Sequence, residues 1–152
     1  FDRTDPVHPK QISKIEHARA CDPVVVSGST AYVTLRGSSV CGASPDELLC
    51  VNIKDPRNPG VVGQKAVTTP YGLAVRNARL YVSHGASGYS LMDVTNPQAP
   101  VLKKTWTGDA TRDFIWSENT LFVLNDHNVS IYDVTDPLAP VLRSRVSSDT
   151  TL

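Results

Sequence analysis

Asp133-Val134-Thr135-Asp136-Pro137-Leu138-Ala139-Pro140 is the stretch on which the fold turns, because its second half occurs three more times. The other copies are Asp5-Pro6-Val7-His8-Pro9, Asp55-Pro56-Arg57-Asn58-Pro59 and Asn96-Pro97-Gln98-Ala99-Pro100. Asp93-Val94-Thr95 precedes the copy at Asn96, and Asp2-Arg3-Thr4 precedes the copy at Asp5. The copies start 55−5=50, 96−55=41 and 136−96=40 residues apart. A fixed internal period is the first thing to settle, because it decides the whole architecture.

Working outward, an aromatic in an apolar run recurs at Tyr32, Tyr81 and Phe122, which lie 32−5=27, 81−55=26 and 122−96=26 residues after the preceding phrase. The distance to the next phrase is 55−32=23 in the first unit and 96−81=15 and 136−122=14 in the others, so the extra length sits around Ser38–Glu47. Each unit reads as four short strands rich in Val, Leu, Ile and aromatics, bounded by turn residues. The first strand covers Pro23–Val26, Gly72–Val75 and Asp113–Trp116. The second covers Ala31–Leu35, Leu80–Ser83 and Leu121–Leu124. The third covers Leu48–Ile53, Tyr89–Val94 and Val129–Val134, and the fourth Val61–Val67, Val101–Trp106 and Val141–Val146. Ser27-Gly28, Arg76-Asn77 and Glu118-Asn119 mark tight hairpins between first and second strands.

The phrase itself falls between third and fourth strands. Its Asp or Asn can cap the turn and its first proline presets φ. Its second proline opens the outermost strand, where a missing N–H is tolerated. A calcium site at the Asp-x-Thr-Asp cluster is the functional alternative; recurrence in every unit favours the turn. No run carries helical periodicity. Four antiparallel strands in about 40 residues define an all-β chain of β-propeller blades, three complete plus one partial. A β-sandwich would match the strand count but not the period. The expected division is 1–20, the outer strand of an incomplete blade; 21–69, a blade with the long insert; 70–109 and 110–148, two further blades; and 149–152, a tail. Phe1–Ile15 supplies only the end of a third strand and a fourth, so the ring is expected to be open or completed by further blades or another chain.

Basic and acidic residues balance at 15 each, and no basic run offers a footprint for nucleic acid. The apolar runs are strand-sized, so membrane attachment is expected only through an anchor outside this chain. No signal-peptide pattern opens the sequence. No cofactor motif occurs, and the three cysteines contain no CxxC.

The combination of Asp-Val-Thr-Asn/Asp-Pro-x-x-Pro after a strand such as Ser130-Ile131-Tyr132, at this period, resembles the LVIVD repeat family. The stretch Cys21-Asp22-Pro23-Val24-Val25-Val26, Ala31-Tyr32-Val33-Thr34-Leu35-Arg36 and Cys41 looks similar to lipoproteins of that family from the Bacteroidetes group. The resemblance spans Asp2 to Val146. It implies a β-propeller of the cell surface or periplasm, with an outer-membrane lipoprotein suspected, and carries no assigned reaction or catalytic residues.

In a propeller the loops after the second strand and before the first share one face. That face would hold Asp22, Arg36, Tyr71, His84, Arg112, Asp113, Asp126 and His127 as binding candidates, with solvated polar loops as the bland alternative. The insert Ser38–Glu47 lies on the same face. Cys50 aligns with Leu91 and Ile131 at a position that should be buried, where a lone Cys acts as a small apolar residue. Cys21 and Cys41 fall on one face of one blade and are expected to pair as a disulfide, which implies an oxidising compartment; Cys41 with Cys50 is the alternative. A metal site from His84, Asp126 and His127 lacks fixed ligand spacing, so no metal is expected. Trp106 and Trp116 suit packing between blades better than sugar stacking.

Two functions from different classes follow. The first is a non-catalytic module that binds protein or glycan through the loop face. The second is a propeller hydrolase or lyase acting on polysaccharide, which needs Asp22, Asp113, Arg112 and His84 to converge with perturbed pKa values. A purely structural subunit of an outer-membrane assembly is a third reading.

Overall fold

The structure, a computed structural model, describes residues 1–14, 23–37 and 45–147. Twelve strands and no helix occur among them. The first sheet holds β1 (Val24–Ser27), β2 (Thr30–Leu35), β3 (Glu47–Asn52) and β4 (Gly60–Ala66). The second holds β5 (Leu73–Arg76), β6 (Arg79–Ser83), β7 (Tyr89–Asp93) and β8 (Val101–Trp106). The third holds β9 (Asp113–Ser117), β10 (Thr120–Leu124), β11 (Asn128–Asp133) and β12 (Val141–Ser147). Each sheet is an antiparallel meander in chain order. All twelve strands fall within a residue or so of the sequence expectation.

Local chemistry explains the regularity. The hairpin loops between first and second strands have two residues, and the first of them sits at positive φ: 58° at Gly28, 48° at Asn77 and 49° at Glu118. Such loops carry a twist that matches the flanking strands. In every Asp/Asn-Pro-x-x-Pro phrase the leading side chain accepts the amide two residues on. Val7 N to Asp5 is 3.0 Å, Arg57 N to Asp55 2.9 Å, Gln98 N to Asn96 3.1 Å and Leu138 N to Asp136 2.9 Å. A second cap stands just before it, where Asp2, Asn52, Asp93 and Asp133 accept from Thr4, Lys54, Thr95 and Thr135. The carboxylates are thus committed to turn geometry. Between third and fourth strands the register slips once per sheet, at Cys50/Val51, Leu91/Met92 and Ile131/Tyr132. This repeated bulge confirms the alignment of Cys50 with Leu91 and Ile131 and adds local twist.

The sheets pack face against face, with β1 beside β5 and β5 beside β9. The middle sheet is therefore covered on both sides, and alternation sorts its residues. Leu73, Leu80, Val82 and Met92 meet Tyr32, Leu48 and Cys50 of the first sheet. Ala74, Tyr81, Tyr89 and Leu91 meet Phe114, Leu121 and Val123 of the third. Leu80, Leu91 and Leu121 are wholly buried; each such side chain contributes roughly 1.5–3 kcal/mol. Trp106 stacks on Tyr89 at 4.9 Å, and the Trp116 and Tyr81 ring centroids are 5.1 Å apart, so both tryptophans serve packing in the second interface. The outermost strands β4, β8 and β12 are largely exposed, as the opening prolines anticipate.

Polar bonds stitch the sheets together. Tyr81 donates its hydroxyl to Pro137 O at 2.6 Å. Thr34 donates to Tyr71 O at 3.2 Å, and Ser83 donates to Thr111 O. Gly72 N donates to Arg112 O at 2.8 Å. That approach requires glycine: a Cβ there would stand 2.6 Å from Arg112 O and overlap the Asp113 backbone and carboxylate.

One expectation needs correction. Residues 1–14 form no strand, only the single bridge Asp2↔Lys10. A strand needs a neighbour for its amides, and no described strand pairs with this segment. Ser13 nevertheless donates to Pro56 O, docking the segment on the first sheet's turn.

Candidate functional site

The connectors that enter β5 and β9 and the loops that leave β2 and β10 bring four sequence-predicted residues together. Tyr71 stands before β5, and the Arg36 guanidinium lies over its ring, 3.8 Å from the centroid. Arg112, just before β9, lies 5.1 Å from the same centroid. A cation over an aromatic face is attracted by the ring quadrupole. Asp126, after β10, holds Arg112 through two contacts, Nε to Oδ1 at 2.5 Å and Nη2 to Oδ2 at 3.3 Å. Arg112 keeps the Asp126 carboxyl below its ordinary range, with His127 adding to the effect, and Asp126 in turn raises Arg112. A fork-to-carboxylate contact fixes the guanidinium plane.

The scaffold under this group is rigid. Tyr71 N donates to Ser83 O and Arg112 N to Leu124 O, so both connectors extend their sheets' ladders. Gly85 leaves room for the Tyr71 ring, since a Cβ there would come within 2.6 Å of Cε2. The site thus offers a half-buried aromatic, two guanidiniums and a carboxylate drawn from all three sheets. It can stack against an apolar face and donate to acceptors. Among the described residues it holds no nucleophile positioned by a base.

The other candidates are placed differently. Asp113 is exposed and accepts its neighbour's amide, Phe114 N, at 2.8 Å. His127 is exposed beside Asp126. His84 leaves the surface. It is 9% exposed and lies between the first and second sheets, where Nδ1 donates to Thr68 O at 2.7 Å and Nε2 accepts from Ser90 Oγ at 2.8 Å. Burial pushes its pKa down, which keeps the ring neutral. Ser–His contacts invite a nucleophilic reading. Here Ser90 is 1% exposed. The third sheet repeats the arrangement with Asn125 Nδ2 against Ser130 Oγ at 3.3 Å, which marks a polar plug at the sheet's end. His84 shares no hydrogen-bond partner with Arg112 or Asp113 among the described residues. No group of three potential metal ligands occurs among them either. Asp22, Cys21 and Cys41 lie outside the described residues, and with them the expected disulfide; Cys50 is a buried free thiol whose pKa burial pushes up to about 11.

Sequence reasoning missed Asp46. Its carboxylate accepts Gly37 N at 2.8 Å and Thr69 N at 2.9 Å, tying both flanks of the long insert to the connector before Tyr71. Thr69 sits at a φ of 42°, a strained position for a β-branched residue that this bond helps hold. No family model matches the chain, and no curated protein does.

Proposed function

We propose that the chain is a non-catalytic β-propeller module that binds a protein or glycan through the loop end of its inner strands, at the cell surface or in the periplasm. The observation that carries this reading is the group Arg36, Tyr71, Arg112 and Asp126. Three sheets contribute to it, and it offers stacking and donor groups. The likeness to the LVIVD repeat family belongs to the same proposal. The paired Cys21 and Cys41 and attachment through a lipid anchor outside this chain belong to it as well.

The propeller part of the proposal rests on how the terminal sheets are finished. Ile115, 68% exposed, occupies the place in the third sheet that Ala74, 5% exposed, holds in the second. Val24, 58% exposed, occupies the place that Leu73, 3% exposed, holds in the second. Faces covered inside the chain are open at its two ends, which suits further blades or a partner chain completing a ring. The test is binding of the purified chain to an array of immobilised glycans, wild type against Tyr71→Ala and Arg112→Ala. Saturable binding lost in both variants supports the assignment of the face. Binding that both variants retain at full strength contradicts it.

A further inference from the structure

A cleft of about 310 Å³ opens between the outer part of the first sheet and the facing side of the second, with Lys65, Thr68, His84, Ser90, Met92 and Thr105 among its walls. Its origin is visible by comparison with the other interface, which is built on the same frame. Lys65 pairs with Leu48 just as Trp106 pairs with Tyr89, each ten residues after its phrase (65−55=10, 106−96=10). Thr105 pairs with Ser90 as Arg145 pairs with Ser130. Met92 stands where the third sheet has Tyr132.

In the second interface these places are filled. Trp106 and Tyr132 pack against the aromatic cluster. Arg145 closes the end, with Nε on Ser130 Oγ and Nη2 on Asp109 Oδ2, both at 3.0 Å. In the first interface Lys65, Met92 and Thr105 are too small or too flexible to do the same, and the cleft is what remains. The residues that open it are not simply shorter. They put a lysine among the walls, in no ion pair with a carboxylate among the described residues, together with threonines and a methionine. His84 spends both ring nitrogens on Thr68 and Ser90, so it forms a fixed neutral wall.

We infer that this cleft is a second binding site, for a sugar residue carrying a carboxylate. A pyranose ring presents an apolar C–H face, suited to Met92, and a rim of hydroxyls, suited to Thr68 and Thr105. The carboxylate is the group that Lys65 selects. The volume lies at the lower end of that of small-ligand sites, enough for one ring. The inference rests on the binding-module reading but not on the Tyr71 surface.

The test is a two-dimensional amide NMR titration of the intact chain with sodium D-glucuronate, D-glucose and a glucuronate-terminated oligosaccharide. Saturable shifts at Lys65, Thr68 and Thr105 are expected with glucuronate, and binding about tenfold weaker with glucose. Tighter binding of the oligosaccharide than of the free acid supports the site and assigns it to chain ends; equal binding supports it as a site for the free acid. Lys65→Trp with Thr105→Arg installs the residues of the filled interface and should abolish the shifts. Lys65→Ala leaves the space open and should weaken glucuronate about tenfold while leaving glucose unchanged. Tyr71→Ala should change none of this, so failure here and failure of the loop-face reading are separable. Absence of saturable shifts with all three probes overturns the inference, as does equal affinity for glucose and glucuronate. So does binding that survives the filled variant.

Discussion

Removing one hydroxyl from Tyr81 should loosen the second sheet's hold on the third. Tyr81 is wholly buried, and its hydroxyl reaches Pro137 O at 2.6 Å across 56 residues of chain. Burial raises its pKa, so it stays a neutral donor at any working pH. Tyr81→Phe keeps the ring among Tyr89, Trp106, Phe114 and Trp116 and deletes only the bond. Leaving a part-buried carbonyl without its donor costs about 1–2 kcal/mol. For a chain of this length each kcal/mol moves the melting temperature by roughly 2–4 °C, so a drop of about 2–8 °C is expected. Thermal unfolding followed by circular dichroism reads it. Phe122→Tyr is the matched control, since Phe122 is the aromatic of the third unit on the side no described sheet covers. The control should move the midpoint by less than about 1 °C, within the scatter of surface changes. An unchanged melting temperature in Tyr81→Phe, or equal shifts in both variants, would refute the claim that this hydroxyl joins successive units.

Three other outcomes are expected. His84 is held neutral in the fold with its pKa lowered, so the unfolded chain takes up the proton first. The His84 contribution to stability should be flat above the ordinary histidine pKa of about 6.5 and fall on acidification, by at most about 1.4 kcal/mol per pH unit. His84→Asn, which copies Asn125 of the third unit, should remove that part of the slope in urea titrations at stepped pH. Gly72→Ala forces apart the connectors that carry Tyr71 and Arg112, and should cost about 1–3 kcal/mol in chemical denaturation. Peptide mapping after alkylation at pH 8 should find Cys50 unmodified in the folded chain and fully modified in urea, given its burial and its pKa of about 11.

The fold was legible because its signals are local and repeat. The proline phrase, the hairpin residues and the alternating strands each specify a few consecutive residues, and the period shows that the same solution recurs. Tyr71, Arg36, Arg112 and Asp126 were legible only as four of eight candidates assigned to one face, on the reasoning that loops at one end of repeated sheets share it. The contacts themselves were not. Thr34 and Ser83 look like ordinary strand hydroxyls, and nothing local says that each reaches the next unit's connector. His84 sits in a loop by sequence, yet the preceding sheet covers it, so its neighbour Thr68 comes from another unit. Asp46 ends an insert that has no counterpart to align with. The first residues carry the letters of a strand, but pairing requires a partner that the letters cannot supply. The cleft did leave a trace: comparing Lys65 with Trp106 and Thr105 with Arg145 along the outer strands shows where bulk is missing.

The most direct test of the stacked-unit account is a nuclear Overhauser spectrum of the chain in solution. Successive sheets side by side predict cross-peaks from Gly72 to Asp113 and from the Tyr81 ring to Pro137 and Trp116, because β5 lies against β9 and the Tyr81 hydroxyl meets the third unit's turn. A two-sheet sandwich built from the same strands would lack these contacts and instead join strands of different units in one hydrogen-bonded ladder; that result would contradict the account.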